Sequence, residues 1–383
     1  GHGRDTDGTR TEHGRDTDAL PPAPRTLHPA PRTPHPAPIT TSPSLEKRHS
    51  VMKNLAIAGT AHIHTPNFLK ILGKRTDCRV LKVWDHIPDR AAQNAAILKA
   101  SVCASPQEIW QDAGIDAVII CSETNRHREL VLPAAEAGKH LFVEKPLGFS
   151  AADAKLMAET ICKAGVLFQT GYFMRGNPVY QFLKEQIQKG TFGKITRVRH
   201  SNCHSGSLGG WFDHDWRWMA DPKIAGCGAF GDLGTHSLDL LLWMLGTPTQ
   251  VTAQIRIVTG RYPECDETGE AMMCYVDGCL ASLAAGWVDV ANPIQMEISG
   301  TEGHAFVMNS ELYLKTDKLP GADGQHPWTA DLPAPLPHAF ELFLNAINGQ
   351  PATLVSAKEA ALRNIVMEAM YKAAQNNTWE KIG

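Results

Sequence analysis

Between residues 53 and 170 short apolar runs alternate with longer stretches in which apolar positions recur every three or four residues. The runs are Leu55-Ala56-Ile57-Ala58, Val80 to Trp84, Ala117-Val118-Ile119-Ile120-Cys121, His140 to Val143 and Val166-Leu167-Phe168-Gln169-Thr170. Runs of this length, bounded by turn residues, read as buried strands. The stretches between them predict helices over about Pro66 to Gly73, Arg126 to Ala137 and Ala151 to Ala164. Strands alternating with helices imply an α/β fold with a parallel, doubly wound sheet.

After Gly171-Tyr172 the pattern changes. A helix is predicted over about Pro178 to Lys189 and a strand near Ile195 to His200, followed by the polar, aromatic loop Trp211-Phe212-Asp213-His214-Asp215-Trp216-Arg217-Trp218. A glycine-rich lead-in, Gly226-Cys227-Gly228, and a terminal Gly246 bracket another helix. From Gln250 to about Leu314 short β-type runs follow: Val251 to Val258, Glu270 to Tyr275, Ala281 to Trp287, Gln295 to Ile298 and His304 to Val307. Turn signals at Asp277-Gly278 and Gly300-Thr301-Glu302-Gly303 separate several of them. This predicts a mainly antiparallel sheet with one face open for dimerisation. Two helices, about His338 to Asn348 and Ala357 to Asn376, close the chain.

Residues 1–51 are of another character. His2-Gly3-Arg4-Asp5-Thr6-Asp7 recurs as His13-Gly14-Arg15-Asp16-Thr17-Asp18, and a Pro-Ala-Pro-Arg-Thr unit occurs twice, from Pro22 and from Pro29. Such a segment buries too little apolar surface to offset its ordering entropy and reads as a disordered, low-complexity extension. Met52 immediately precedes the first strand and is taken as the natural start, with residues 1–51 a mispredicted or artificially added extension. The alternative is a proline-rich docking tail. The net charge of −3 points to no nucleic-acid partner and no anionic membrane surface. No apolar run reaches the roughly 18–20 residues of a membrane span. The nine cysteines are scattered without a Cys-x-x-Cys pair, as in a chain of free thiols in a reducing cytoplasm.

Candidate chemistry gathers at strand ends. The strand His140 to Val143 stops on Glu144-Lys145-Pro146, so a carboxylate and an ammonium sit where a doubly wound sheet binds ligands. The first strand runs into Gly59-Thr60-Ala61-His62-Ile63-His64, where a dinucleotide fingerprint would carry three glycines. Only Gly59 is kept, with Ala61 and His64 at the other two positions. His62 or His64 either donates to a phosphate oxygen or packs at the helix start. Asp85 closes the second strand about 20 residues on, at the spacing of the acid that holds the adenosine ribose, which favours NAD. Arg90 leaves NADP open, and a helix-capping or loop aspartate is the other reading of Asp85. Small and polar residues after the third strand, from Cys121 and Ser122 through Asn125 to His127, suit cofactor contacts. Asp232 and His236 are one turn apart and share a helix face, and Asp239 extends that polar stripe. The tryptophans of the 211–218 loop suit sugar faces or an interface equally. His200 and His204 have helical ligand spacing but end a strand pattern, so no metal is expected.

The Glu144-Lys145-Pro146 strand end, the Gly231-Asp232-Leu233-Gly234-Thr235-His236-Ser237-Leu238-Asp239 helix and the Ile298-Ser299-Gly300-Thr301-Glu302-Gly303 turn resemble the glucose–fructose oxidoreductase/inositol dehydrogenase/MocA family over Met52 to Gly383. The resemblance implies an N-terminal Rossmann domain (52–172) and a C-terminal α/β domain (173–383) whose mainly antiparallel open sheet forms homo-dimers or homo-tetramers. It implies NAD(P)-dependent oxidation or reduction of a carbohydrate or cyclitol. Lys145, Asp232 and His236 align with the catalytic trio. In that frame His236, with an ordinary pKa of about 6.5, is the base. Lys145 holds the reacting oxygen, and Asp232 binds a neighbouring hydroxyl or orients His236. Glu144 contacts the cofactor ribose or Lys145, and Trp216 and Arg217 join the trio around the substrate. Two rivals share the scaffold: a glycosidase that retains NAD, and a non-catalytic NAD-binding regulator.

Overall fold

The computed structural model describes residues 52–383, so the low-complexity extension lies outside the described residues. Its first sheet has six strands: β1 (Lys53–Thr60), β2 (Cys78–Trp84), β3 (Ser101–Val102), β4 (Ala117–Cys121), β5 (His140–Val143) and β6 (Phe168–Thr170). Their order is β3-β2-β1-β4-β5-β6 and every pair is parallel. All five residues of β4 are buried, as a central strand covered on both faces requires. The strand order reverses between β1 and β4, which opens a crevice at their carboxyl ends.

Helices α1 (Thr65–Leu72), α2 (Pro88–Leu98), α3 (Gln107–Trp110), α4 (His127–Glu136) and α5 (Ala151–Ala164) cover this sheet. The last of these begins on Ser150, whose hydroxyl accepts from the Asp153 amide, and ends on left-handed Gly165. Neither α2 nor α3 stands out in the hydrophobic pattern. Only Ala91 and Ala95 of α2 are buried, and α3 is a single turn.

Then follow α6 (Pro178–Gln188), β7 (Ile195–Cys203), α7 (Pro222–Ala225), α8 (Ala229–Leu245), β8 (Gln250–Arg256), β9 (Thr268–Cys274), β10 (Leu280–Gly286), β11 (Ile294–Gly300), β12 (Gly303–Met308), β13 (Glu311–Thr316), β14 (Asp323–Pro327), α9 (Ala339–Ile347), α10 (Ala357–Asn376) and β15 (Glu380–Lys381). The nine strands from β7 onward form the second sheet, in the order β14-β13-β12-β11-β7-β10-β9-β8-β15. It is antiparallel except for the parallel β7–β10 pair. The alternation is clean. Ala271, Met273, Ala281, Leu283 and Ala285 turn into the core beneath α8 and α10, while Glu270, Met272, Ser282 and Ala284 line the uncovered face. Strand β14 carries no apolar residue but its final proline, so the pattern is silent about it.

The last two helices do not stay with the second sheet. Phe340, Phe343 and Leu344 of α9 pack on the first sheet, where the Phe340 ring stacks on Phe68 at 4.4 Å. Ala357, Ala360 and Ala361 at the start of α10 join the core shared with α4 and α5, whereas Val366, Met367 and Met370 lie under the second sheet. The two sheets are therefore bound together by one C-terminal helix pair, and the carboxyl end of β5 is held facing the start of α8.

Candidate active site

β5 delivers Glu144 and Lys145 to the sheet edge, and the Lys145–Pro146 peptide that follows is cis. The Lys145 side chain crosses to α8. Its Nζ lies 2.5 Å from Asp232 Oδ1 and 3.1 Å from the Asp232 carbonyl oxygen, and it is 3% exposed. Asp232 Oδ2 accepts from Trp287 Nε1 at 3.2 Å. Burial disfavours charge on both partners. Their mutual attraction overcomes it, holding Lys145 above its usual value and Asp232 down at about 2. His236, one turn along α8, is 4% exposed, and its buried Nδ1 has no partner among the described residues. Burial first, and then the Lys145 ammonium, keep its imidazole well below the usual value and therefore neutral. Its ring lies beside Phe173 at 5.1 Å and Tyr172 at 6.1 Å.

The expectation that Asp232 orients His236 is not met. Among the described residues no hydrogen bond joins them, because the Asp232 carboxylate is taken by Lys145 and Trp287. Asp239 also leaves the stripe. It is 1% exposed and accepts from Arg175 Nε and Nη2, at 2.8 and 2.6 Å, and from Arg363 Nε at 2.9 Å.

The dinucleotide loop is built as follows. Gly59 has φ +87°, and a Cβ there would stand 2.4 Å from that of Ser122, so only glycine fits. Thr60 donates its amide and its hydroxyl to Asp85 Oδ2, the His62 amide donates to the Cys121 carbonyl at 2.9 Å, and the Ala61 carbonyl accepts from Trp218 Nε1 at 3.1 Å. Ile63 packs partly buried against the core of the second sheet. His64 stands at the helix start, but its ring turns inward, with Nδ1 3.1 Å from Glu144 Oε1. His62 Nε2 lies 4.0 Å from Glu144 Oε2, which also accepts from the Lys145 amide. Glu144 has no exposed surface; burial opposes its charge, but the His64 ring and Lys145 beside it keep it well below its usual value.

His62, His64 and Glu144 are also close enough to suggest metal ligands. Against that, His62 Nδ1 accepts from the His64 amide at 3.2 Å. The proton of this neutral ring, lowered to about 3 by burial, therefore sits on Nε2, which lies 4.0 Å from Glu144 Oε2 and offers no lone pair. His200 contacts Ser237 Oγ and Tyr180 Oη, and His204 Nδ1 accepts from the Gly206 amide, so the two do not converge.

Several expected cofactor contacts are occupied by the protein itself. Asp85 stands beside the loop, but its two oxygens already accept from Thr60, Ile87 and Arg90. His127 is buried with Nδ1 3.0 Å from the Leu147 carbonyl and Nε2 3.3 Å from that of Ser122; kept neutral by burial, it donates to one of the two and does not face the crevice. The Cys121 side chain is in the core. Asn125 is exposed in the single turn Thr124–Arg126. Arg217 stacks on Tyr262 and donates to the Ala220 carbonyl, and Trp216 packs at the edge of the core. From that loop it is Trp218 and Met219 that line the small cavity of about 10 Å³ beside Lys145 and Asp232. Trp287 carries no sequence signal and is identified only by its contact with Asp232.

Two family models match the chain. Residues 53–172 match an oxidoreductase family with an NAD-binding Rossmann fold, and residues 180–306 match the GFO/IDH/MocA C-terminal domain. The scyllo-inositol 2-dehydrogenase (NAD(+)) of Bacillus subtilis is 30% identical over 262 residues, 66% of this chain and 72% of that protein. The myo-inositol 2-dehydrogenase of Thermotoga maritima is 30% identical over 216 residues, 53% of this chain and 60% of that protein. The chain therefore spans somewhat under two thirds of this second relative. A levoglucosan dehydrogenase solved with NADH and levoglucosan shares the fold, with a TM-score of 0.70, 21% identity, and coverage of 86% of this chain and 99% of that one.

Proposed function

Since the chain belongs to the GFO/IDH/MocA oxidoreductases with an NAD-binding Rossmann fold, we propose that Lys145, Asp232 and His236 oxidise or reduce a secondary alcohol or ketone of a sugar or cyclitol. One observation carries this reading. A charged lysine and a neutral, unpartnered histidine meet at the carboxyl edge of the parallel sheet, beside the loop that begins at Gly59.

The residues present fit the dinucleotide. The last residue of β1 but one is a glycine that tolerates no side chain, and α1 begins a few residues later. The loop from Gly59 to His64 and the exposed Asn125 would hold it. Bound NAD supplies the two-electron acceptor or donor. The chain supplies the rest. The Lys145 ammonium has three N–H donors, and Asp232 takes two of them. The third is open to the reacting oxygen, where the ammonium stabilises developing negative charge. His236, kept neutral, accepts the proton of the alcohol on its imidazole and returns it in the reverse direction. Asp232 acts chiefly by keeping Lys145 charged and in place. The inositol dehydrogenases and the levoglucosan complex support a polyhydroxylated ring as substrate.

The same reading assigns the first sheet (52–172) to the cofactor and the second (173–383) to substrate and self-association. Pairing through the uncovered sheet face into a homo-dimer or homo-tetramer is supported by exposed Met272 and Leu280. A reducing cytoplasm is supported by the free cysteines among the described residues. No described helix is long and apolar enough to cross a membrane.

The test is NADH formation by purified protein against a panel of cyclitols, aldoses and glycosides, with His236→Ala as control. Turnover with one polyol class, lost in His236→Ala while NAD binding persists, is the expected result. Loss of turnover and NAD binding together would overturn the role of His236. Release of a free sugar from a glycoside without net NADH would overturn the reaction class.

A further inference from the structure

The first four amides of a helix have no partner within it. In α8 the residue before the first turn is Gly228, which has no side chain to cap them. Two residues from elsewhere in the chain do so. Asp266 accepts from the Gly228 amide through Oδ2 at 2.9 Å, from the Phe230 amide through Oδ1 at 2.7 Å, and from the Ala229 amide through its carbonyl oxygen at 2.9 Å. The Tyr371 hydroxyl, on α10, accepts from the Gly231 amide at 2.9 Å and donates to Asp266 Oδ2 at 2.8 Å. The next amide, that of Asp232, is the first to bond inside the helix, to the Gly228 carbonyl.

The glycines of this stretch therefore serve an approach from within the protein. A Cβ on Gly228 would stand 2.5 Å from the Asp266 carbonyl oxygen, and one on Gly231 would stand 2.9 Å from the Tyr371 hydroxyl. The Tyr371 ring also meets the buried Phe230 ring edge to face at 5.8 Å. A cavity of about 100 Å³ lies on one side of Tyr371 and an open groove of about 450 Å³ on the other. A second link runs through the neighbouring residue. The Glu267 carbonyl accepts from the Trp287 amide at 2.9 Å, and the Trp287 indole touches Asp232.

We propose that Asp266 and Tyr371 are positioning residues for the reaction, fixing the first turn of α8 and thereby the place where Asp232 meets Lys145. The proposal rests on the roles given above to Asp232 and Lys145. Tyr371→Phe keeps the ring between the two cavities and removes only the hydroxyl. It should lower kcat about tenfold, leave KM for NAD within about twofold, and raise the primary isotope effect of a deuterated alcohol. Asp266→Asn, which keeps one carbonyl acceptor, should retain more turnover than Asp266→Ala. A Tyr371→Phe enzyme with wild-type kcat overturns the proposal. So does a loss of kcat that merely follows the fraction of chains still binding NAD, or Asp266→Asn falling as far as Asp266→Ala. Wild-type turnover in Asp232→Asn would instead overturn the underlying reading of the site.

Discussion

Lys145→Met separates what the central ion pair does for stability from what it does for turnover. Methionine matches the length of the lysine stem but donates nothing. Asp232 would keep its carboxylate in a buried site with the Trp287 indole as remaining side-chain donor. Removing one partner of a buried pair costs about 3–5 kcal/mol, because the other is left uncompensated. With an unfolding entropy of about 2.1 cal/mol/K per residue, over residues 52–383, that is a drop of roughly 4–7 °C in Tm. Turnover loses its oxyanion partner, a change of about 10²–10³ in kcat. Lys145→Met/Asp232→Leu removes both charges, so it should regain most of the Tm and none of the turnover. Thermal melts and steady-state NADH formation read the two effects separately. A Lys145→Met protein that melts with the wild type, or that turns over within about fivefold of it, would refute the argument.

Two other outcomes follow from the geometry. Gly59→Ala forces a left-handed residue and a Cβ into Ser122, so it should destabilise by at least about 1–2 kcal/mol and weaken NAD binding. Ser122→Gly should not rescue it, since the Ser122 backbone itself lies 2.7 and 2.9 Å from that Cβ; unchanged melting and NAD titration would contradict this. His62 and His200 are each lowered to about 3 by burial, whereas in the unfolded chain they protonate near 6.5. Their contribution to stability is therefore complete above pH 6.5 and is lost as pH falls toward 3, at up to about 1.4 kcal/mol per pH unit for each. His200→Gln should flatten the fall of Tm between pH 6 and 4, and an unaltered slope would count against it.

Five of the six strands of the parallel sheet were legible because each carries an apolar run that ends on turn or polar residues, whereas the two-residue, exposed β3 carries none. Helices α5 and α10 were legible because capping residues mark their starts: Ser150 for one, Ser356 with Glu359 for the other. The polar strand β14 and the alanine-faced α2 were not, because neither carries a hydrophobic period. At the site, the family resemblance grouped Lys145 with Asp232, and the structure sets them within a hydrogen bond of each other. Motif spacing could not tell that Asp239 faces two arginines, that His127 is buried against backbone carbonyls, or that Asp85 is already engaged by Arg90. These are facts of tertiary partnership, and helical periodicity reports only which residues share a face. The glycine-rich lead-in to α8 is a place of close approach whose approaching groups, Asp266 and Tyr371, lie far off in sequence.

The return of α9 and α10 to the first sheet bears on how such chains can recombine. The boundary after residue 172 looks like a joint at which one cofactor module could be exchanged for another. A fragment ending there would expose the surfaces that Phe340, Phe343, Ala357 and Ala360 cover. A viable chimera must therefore inherit its cofactor half together with the matching C-terminal helices. Inheritance of the two halves is coupled, and a single crossover in the middle of the gene would separate residues that fold as one.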